Sequence, residues 1–229
     1  MRNTRRIVMA ATGVLAATTF TFSGTANAID GGSAEATPSS VLSMDCSGSL
    51  ISAQWAVTAA HCNPGDVWRS VQEKAEGKNV KVDATYKAPS GADIRLLHLE
   101  KPLEAGEVDG VKGYMKLARE DEPLPQVGSE VKIYGWGSGA LKSATTEVYS
   151  TNLYGNLALK GKDGIAGGGD SGGPITQVIN GERKLVGVLG GVFNDSNLPF
   201  GKNSVGPTIF HTDDHGKTDR EWIKEMTGV

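Results

Sequence analysis

The sequence predicts an all-β protein, a sandwich or a barrel, closed by one C-terminal helix. Three observations carry this prediction. Apolar and alternating runs of five to seven residues recur along the chain, and Gly, Pro, Asn and Asp turns separate them. In addition, 31 glycines accompany an ordinary 21% of charged residues, as in a loop-rich β protein rather than a disordered one. At 229 residues the chain is long enough to bury a sizeable core.

The first 28 residues precede the expected fold. Arg2, Arg5 and Arg6 form a positive head, and residues 7–22 are apolar or small. Ala26-Asn27-Ala28 then supplies a small-x-small cleavage site, which makes the segment a secretory signal peptide of simple, bacterial type. It is too short and too often interrupted by threonine for a membrane anchor. The expected product is a secreted, extracellular chain beginning at Ile29. Its removal takes three arginines and no acid, leaving 20 basic against 26 acidic residues, a net charge of −6. There is no basic stripe, which argues against nucleic acid or an anionic membrane as partner.

Candidate strands follow at residues 41–44, 48–51, 55–59, 80–86, 94–99, 130–135, 147–153, 173–179, 185–192 and 207–211. A short helical turn is expected after Ala59 through Cys62. The Pro-rich run 120–126 is the candidate crossing between two halves. The closing helix is expected over 219–226, with Asp219 as N-cap, Trp222 and Met226 on one face, and Gly228 as terminator.

Two cysteines remain in the exported part, Cys46 and Cys62. In an oxidising compartment a pair sixteen residues apart reads first as a disulfide, and a metal site would need more ligands than the pair supplies. The Asp213-Asp214-His215 cluster reads as a solvated loop rather than a cation site.

The chemistry is concentrated in a few residues. Ser171 lies in Gly169-Asp170-Ser171-Gly172-Gly173-Pro174, a cramped glycine-rich turn able to converge backbone N–H groups on one point. The amides of Gly169 and Ser171 are the candidate oxyanion donors. A serine hydroxyl needs a base within reach, and the base needs an acid to fix its tautomer. Of the four histidines, His98 reads as strand surface, His211 as a strand end and His215 as loop. His61, in Thr58-Ala59-Ala60-His61-Cys62, directly follows an apolar strand and is held by its neighbouring cysteine. Asp93 opens the apolar run Asp93-Ile94-Arg95-Leu96-Leu97 and lies between His61 and Ser171 in chain order.

These segments, with Ile29-Asp30-Gly31-Gly32, Gly135-Trp136-Gly137 and Trp222-Ile223, resemble the trypsin/chymotrypsin family of serine proteases. They occur in the family's order and span residues 29–229 as one protease domain, with a crossing near 118–128. The resemblance implies two six-stranded antiparallel β-barrels with the active site between them. It also implies His61 as general base, Asp93 as orienting acid, Ser171 as nucleophile, and a Cys46–Cys62 disulfide beside the histidine. The Ile29 amine would pair with Asp170, and the signal cleavage falls immediately before Ile29, so export itself would generate the active terminus. Expected partners are protein or peptide substrates and protein protease inhibitors. The chain is expected to act as a monomer without metal or cofactor.

The sequence departs from the family at the substrate pocket. Ile165 stands where trypsin-like members carry an acid, Gly167 replaces a cysteine, and the nearest acid is Asp163. Gly190-Gly191-Val192 replaces a Ser-Trp-Gly edge, removing an aromatic wall and a hydroxyl that would bond Asp93. Thr208 falls near an expected pocket glycine. Val192 and Thr208 would narrow the pocket, which favours small or medium apolar side chains before the scissile bond. A trypsin-like preference using Asp163 is the alternative specificity. A catalytically silent binding protein on the same scaffold is the alternative function.

Overall fold

The computed structural model describes residues 29–137, 139–151 and 155–229. The signal peptide at 1–28 lies outside the described residues, as do residues 152 and 153 of the strand expected at 147–153.

Beside two small two-stranded pairs, Asp30–Gly31 with Gly164–Ile165 and Gly106–Val108 with Val111–Gly113, two large antiparallel sheets form the body of the molecule. The first holds β1 (Val41–Ser43), β2 (Ser47–Ser52), β3 (Trp55–Thr58), β4 (Asp66–Val67), β5 (Val80–Lys87) and β6 (Arg95–Leu99), in the order β1-β2-β3-β6-β5-β4. It nearly closes on itself, because Ser43 and Trp68, just past β4, exchange backbone hydrogen bonds of 2.7 and 2.9 Å. The second sheet holds β7 (Glu130–Gly135), β8 (Lys142–Thr151), β9 (Asn156–Gly161), β10 (Pro174–Ile179), β11 (Glu182–Val188), β12 (Gly191–Asn194) and β13 (Lys202–Pro207). Its circuit β11-β10-β7-β8-β9-β13 returns to β11 through the Gly187–Thr208 bridge. The edge strand β12 and the short strand Ser33–Ala34, paired to β8, are additions to that circuit. This is the double-barrel architecture, with one helix at the C-terminus.

Alternation explains the barrels. In β9, Leu157, Leu159 and Gly161 face inward while Asn156, Ala158 and Lys160 do not, the period of a strand with one face on a core. Leu42, Leu50, Ala56, Val67, Leu97 and Leu99 fill the first barrel. Ile29, Ile133, Val148, Leu159, Ile175 and Val186 fill the second. A third cluster, with Val57, Leu96, Trp136, Leu185, Val188 and Ile209, lies between the barrels. There Trp136 Nε1 donates to the Val41 carbonyl at 2.8 Å, so the buried indole has its partner.

The helix α2 (Asp219–Thr227) adds Trp222 and Ile223 to that cluster. Its start corrects the sequence expectation by one residue: the N-cap is Thr218, not Asp219. Thr218 Oγ1 accepts from the Glu221 amide (3.0 Å) while Glu221 Oε2 accepts from the Thr218 amide (2.8 Å). That reciprocal box satisfies two N–H groups, and Asp219 is instead buried, accepting from Ser90 Oγ at 2.7 Å. Gly228, at φ 79°, ends the helix as expected.

Other boundaries moved. The run expected at 185–192 breaks at Leu189–Gly190 into β11 and β12, and the strand expected at 207–211 ends at Pro207. Several short strands, β4 among them, the longer strands β9 and β13, and the short helix α1 (Val71–Ala75) were not expected from the sequence. After Ala59 there is a single turn, closed by Cys62 N–H to the Ala59 carbonyl at 3.1 Å.

Candidate active site

The first barrel presents His61 and Asp93. The apolar strand β3 ends at Thr58, and the turn after Ala59 carries His61 outward while Cys62 stays buried in a disulfide with Cys46, Cα to Cα 6.2 Å. Asp93 stands just before β6, between the buried Ala92 and Ile94. Its two oxygens hold one residue twice: Oδ2 lies 2.7 Å from His61 Nδ1, and Oδ1 accepts the His61 backbone N–H at 2.9 Å. With a carboxylate as its partner, Nδ1 is the donor of this bond. The ring is half-exposed at 48%.

The second barrel presents Ser171, just before β10. The residues preceding it form a turn in which Gly169 adopts φ +86°, and a Cβ there would lie 2.7 Å from Gly137 Cα. Only glycine meets both conditions. Among the described residues, neither the Gly169 nor the Ser171 amide donates to a protein acceptor. Ser171 Oγ donates to the Gly190 carbonyl over a long 3.4 Å, and among the described residues no hydrogen bond joins it to the His61 ring.

Asp170 lies beneath this turn, fully buried. It accepts three backbone N–H groups: Ile29 at 2.8 Å, Gly167 at 2.8 Å and Gly137 at 3.0 Å. Burial pushes its carboxyl above the ordinary carboxylate range, against the pull of those three donors. Gly135 makes room for it, since a Cβ there would fall 2.1 Å from Asp170 Oδ1. Ile29 is buried in the second core, and Asp30–Gly31 pairs with Gly164–Ile165.

A cavity of about 590 Å³ opens beside Asp93, walled by Tyr149, Leu157, Ala158, Phe193, Val205 and Pro207 and floored by glycines that include Gly190 and Gly191. Of the expected pocket residues, those two line it. Ile165 and Thr208 are buried outside its lining, and Val192 is exposed on β12. Asp163 is also outside, its Oδ1 accepting the Thr145 amide at 2.7 Å. A Cβ on Gly190 would lie 3.2 Å from Asp93 Oδ2, so this glycine leaves the carboxylate without a side-chain donor on that side.

Cys46, His61 and Cys62 have ligand atoms close enough to suggest a metal group, but both sulfurs are consumed in the disulfide. The sequence reading overlooked Ser47, which is fully buried behind the Ser171 turn and bonded to it. Nothing in the Cys46-Ser47-Gly48 pattern singles it out.

Residues 29–201 match the family model described as Trypsin. The chain belongs to the trypsin family. Membership makes it a serine endopeptidase, a hydrolase acting on protein or peptide substrates. Similar proteins include the platelet-aggregating proteinase PA-BJ of Bothrops jararaca, 29% identical over 192 residues that cover 69% of this chain and 76% of the relative. Trypsin 5G1 of Aedes aegypti is 24% identical, covering 80% and 76%. Chymotrypsin-like elastase family member 1 of Rattus norvegicus is 27% identical, covering 72% and 73%. No helix among the described residues is long and apolar enough to cross a membrane.

Proposed function

We propose that this serine protease works through Ser171 as nucleophile, His61 as general base and Asp93 as orienting acid. Ser171 Oγ attacks the scissile carbonyl and passes its proton to His61 Nε2. The same imidazolium then protonates the leaving amine, and water activated by His61 hydrolyses the acyl-enzyme. The oxyanion formed at each tetrahedral stage is received by the Gly169 and Ser171 amides. The observation that carries this reading is the double grip of Asp93 on His61, at 2.7 and 2.9 Å, which fixes both ring orientation and tautomer. The long Ser171 bond to Gly190 is a resting contact of the unliganded site, where catalytic hydrogen bonds are commonly loose.

The amino terminus belongs to the same device. With residue 28 attached, the group facing Asp170 is a neutral peptide N–H, and among the described residues no cation is bonded to the buried carboxylate. Cleavage after Ala28 during export would turn that N–H into an ammonium and supply the charge. A buried pair stripped of one partner costs about 3–5 kcal/mol, so the new charge would hold the turn firmly. Sequencing the amino terminus of the exported protein tests this; a start other than Ile29 defeats it.

For specificity, we favour small or medium apolar side chains. The cavity beside Asp93 has mostly apolar walls, and Asp163 is committed to the Thr145 amide outside it. Profiling cleavage of a mixed peptide library with the wild type and Ser171→Ala tests function and preference together. Cleavage after small apolar residues, absent in the variant, is expected. Cleavage after Lys or Arg would overturn the specificity, and cleavage surviving in Ser171→Ala would overturn the mechanism.

A further inference from the structure

We infer that Ser47 is the residue that positions the oxyanion turn, acting from the first barrel upon the second. The inference rests on the catalytic reading above. Ser47 begins β2, immediately after Cys46, and is fully buried. Among the described residues four hydrogen bonds tie it to other segments, two of them to the turn that carries Ser171. Its N–H donates to the Ser171 carbonyl at 2.7 Å, and its Oγ donates to the Gly169 carbonyl at 3.1 Å. The same Oγ accepts the Trp136 N–H at 2.9 Å, and the Ser47 carbonyl accepts Thr58 Oγ1 at 2.7 Å.

The two carbonyls it grips lie on either side of Asp170. They belong to Gly169 and Ser171, whose own amides are the proposed oxyanion donors. Opposite them, the consecutive amides of Trp136 and Gly137 bind Ser47 Oγ and Asp170 Oδ1. The turn is therefore clamped from two sides, by Asp170 from within and by Ser47 from across the barrel boundary.

The clamp matters because of where it acts. The string 167–169 is three glycines, whose backbone torsions are the least restrained of any residue. The direction of the Gly169 N–H is set by tethers rather than by its own side chain. Fixing the Gly169 carbonyl anchors the peptide plane on the far side of the Gly169 Cα, and so holds still the pivot about which that N–H turns. Gly172 shows how close the contact is: a Cβ there would fall 2.1 Å from Thr58 Oγ1 and 2.2 Å from the Ser47 carbonyl.

Removing the hydroxyl would leave the Trp136 N–H and the Gly169 carbonyl without a partner in a buried site, and the turn would shift to recover one. Losing a whole oxyanion donor costs on the order of 10²–10³ in kcat, so losing the tether of one donor is expected to cost about tenfold to a hundredfold. The defect should fall on the transition state and leave ground-state binding in place.

The test uses the mature protein and its Ser47→Ala variant, with a small apolar peptide substrate and the matching peptide aldehyde. The hemiacetal oxygen of the aldehyde occupies the oxyanion position, so its affinity reports the turn directly. A kcat loss of about tenfold or more, with KM within about twofold and a parallel loss of aldehyde affinity, is expected. A variant with lowered melting temperature but unchanged kcat and aldehyde affinity would show Ser47 to be structural only and overturn the inference. If Ser47→Ala does not fold, Thr58→Val, which frees the Ser47 carbonyl and keeps its hydroxyl, should give the same signature at smaller size. Unaltered aldehyde affinity there would also overturn it. A wild type that neither cleaves the peptide nor binds the aldehyde would instead refute the catalytic reading beneath it.

Discussion

Replacing Asp219 by Asn is expected to stabilise the protein above pH 6 and to do little below pH 4. Asp219 is fully buried at the start of α2, with Oδ2 accepting from Ser90 Oγ at 2.7 Å and Oδ1 without a partner among the described residues. Burial pushes its carboxyl from 3.8 up to about 6. The folded protein therefore binds a proton between those values that the unfolded chain has released. Stability accordingly falls as pH rises through this window and stays lowered above it. A shift of about two units corresponds to about 3 kcal/mol, at 1.36 kcal/mol per unit. Asn keeps the shape and an oxygen for Ser90, but does not titrate. Denaturant unfolding of both proteins across pH 4–8 checks this. The stability difference should move in favour of Asn by about 2–3 kcal/mol from the acid to the neutral end. A difference constant to within about 0.5 kcal/mol would refute the assignment of a buried, titrating Asp219. Because Ser90 Oγ also accepts the Ala92 amide beside Asp93, kcat serves as a control for the loop and should be unchanged.

Other perturbations report on the site itself. Asp93→Asn should lower kcat by about 10⁴-fold with KM little changed, read on a peptide ester, because the imidazole loses its tautomer and orientation together. Gly169→Ala places a Cβ 2.7 Å from Gly137 Cα at a positive φ and should cost at least about a hundredfold in kcat, measured alongside the melting temperature. Replacing Cys46 and Cys62 together by Ala opens a loop closed over a sequence separation of 16 and should cost about 3 kcal/mol of stability in denaturant unfolding. One alanine added before Ile29 of the mature chain should lower kcat by about a hundredfold or more, the equivalent of about 3 kcal/mol, in the same ester assay.

The candidate site was legible where the proposed chemistry demands unusual residues. The glycine string around Ser171, the tethered His61 and the acid opening an apolar strand each carry a local reason visible in the letters. The pairing of Ile29 with Asp170, 141 residues apart, came from resemblance alone, because no local pattern reports a buried contact of that separation. Ser47 was invisible for a related reason: its role comes from four partners distributed over three other segments, and an isolated small polar residue in a strand has no pattern. In the fold, β9 was missed although Leu157 and Leu159 alternate properly, since its flanking glycines Gly155 and Gly161 make so short a run resemble a loop. The strand β13 was misplaced because Pro207 looked like a start, whereas the ladder with β9 runs from Asn203 to Pro207. Asp219 was expected as N-cap by residue type, and Thr218 with Glu221 three residues on makes the better reciprocal pair.

The proposed mechanism requires Ser171, set against His61, Asp93 and the glycine turn, to be an activated nucleophile. Treating the mature protein with a fluorophosphonate and mapping the adduct by mass spectrometry tests it most directly. One stoichiometric adduct on Ser171, lost in Ser171→Ala and greatly slowed in His61→Ala, is the expected result. An unlabelled wild type, or an adduct on any other residue, would contradict it.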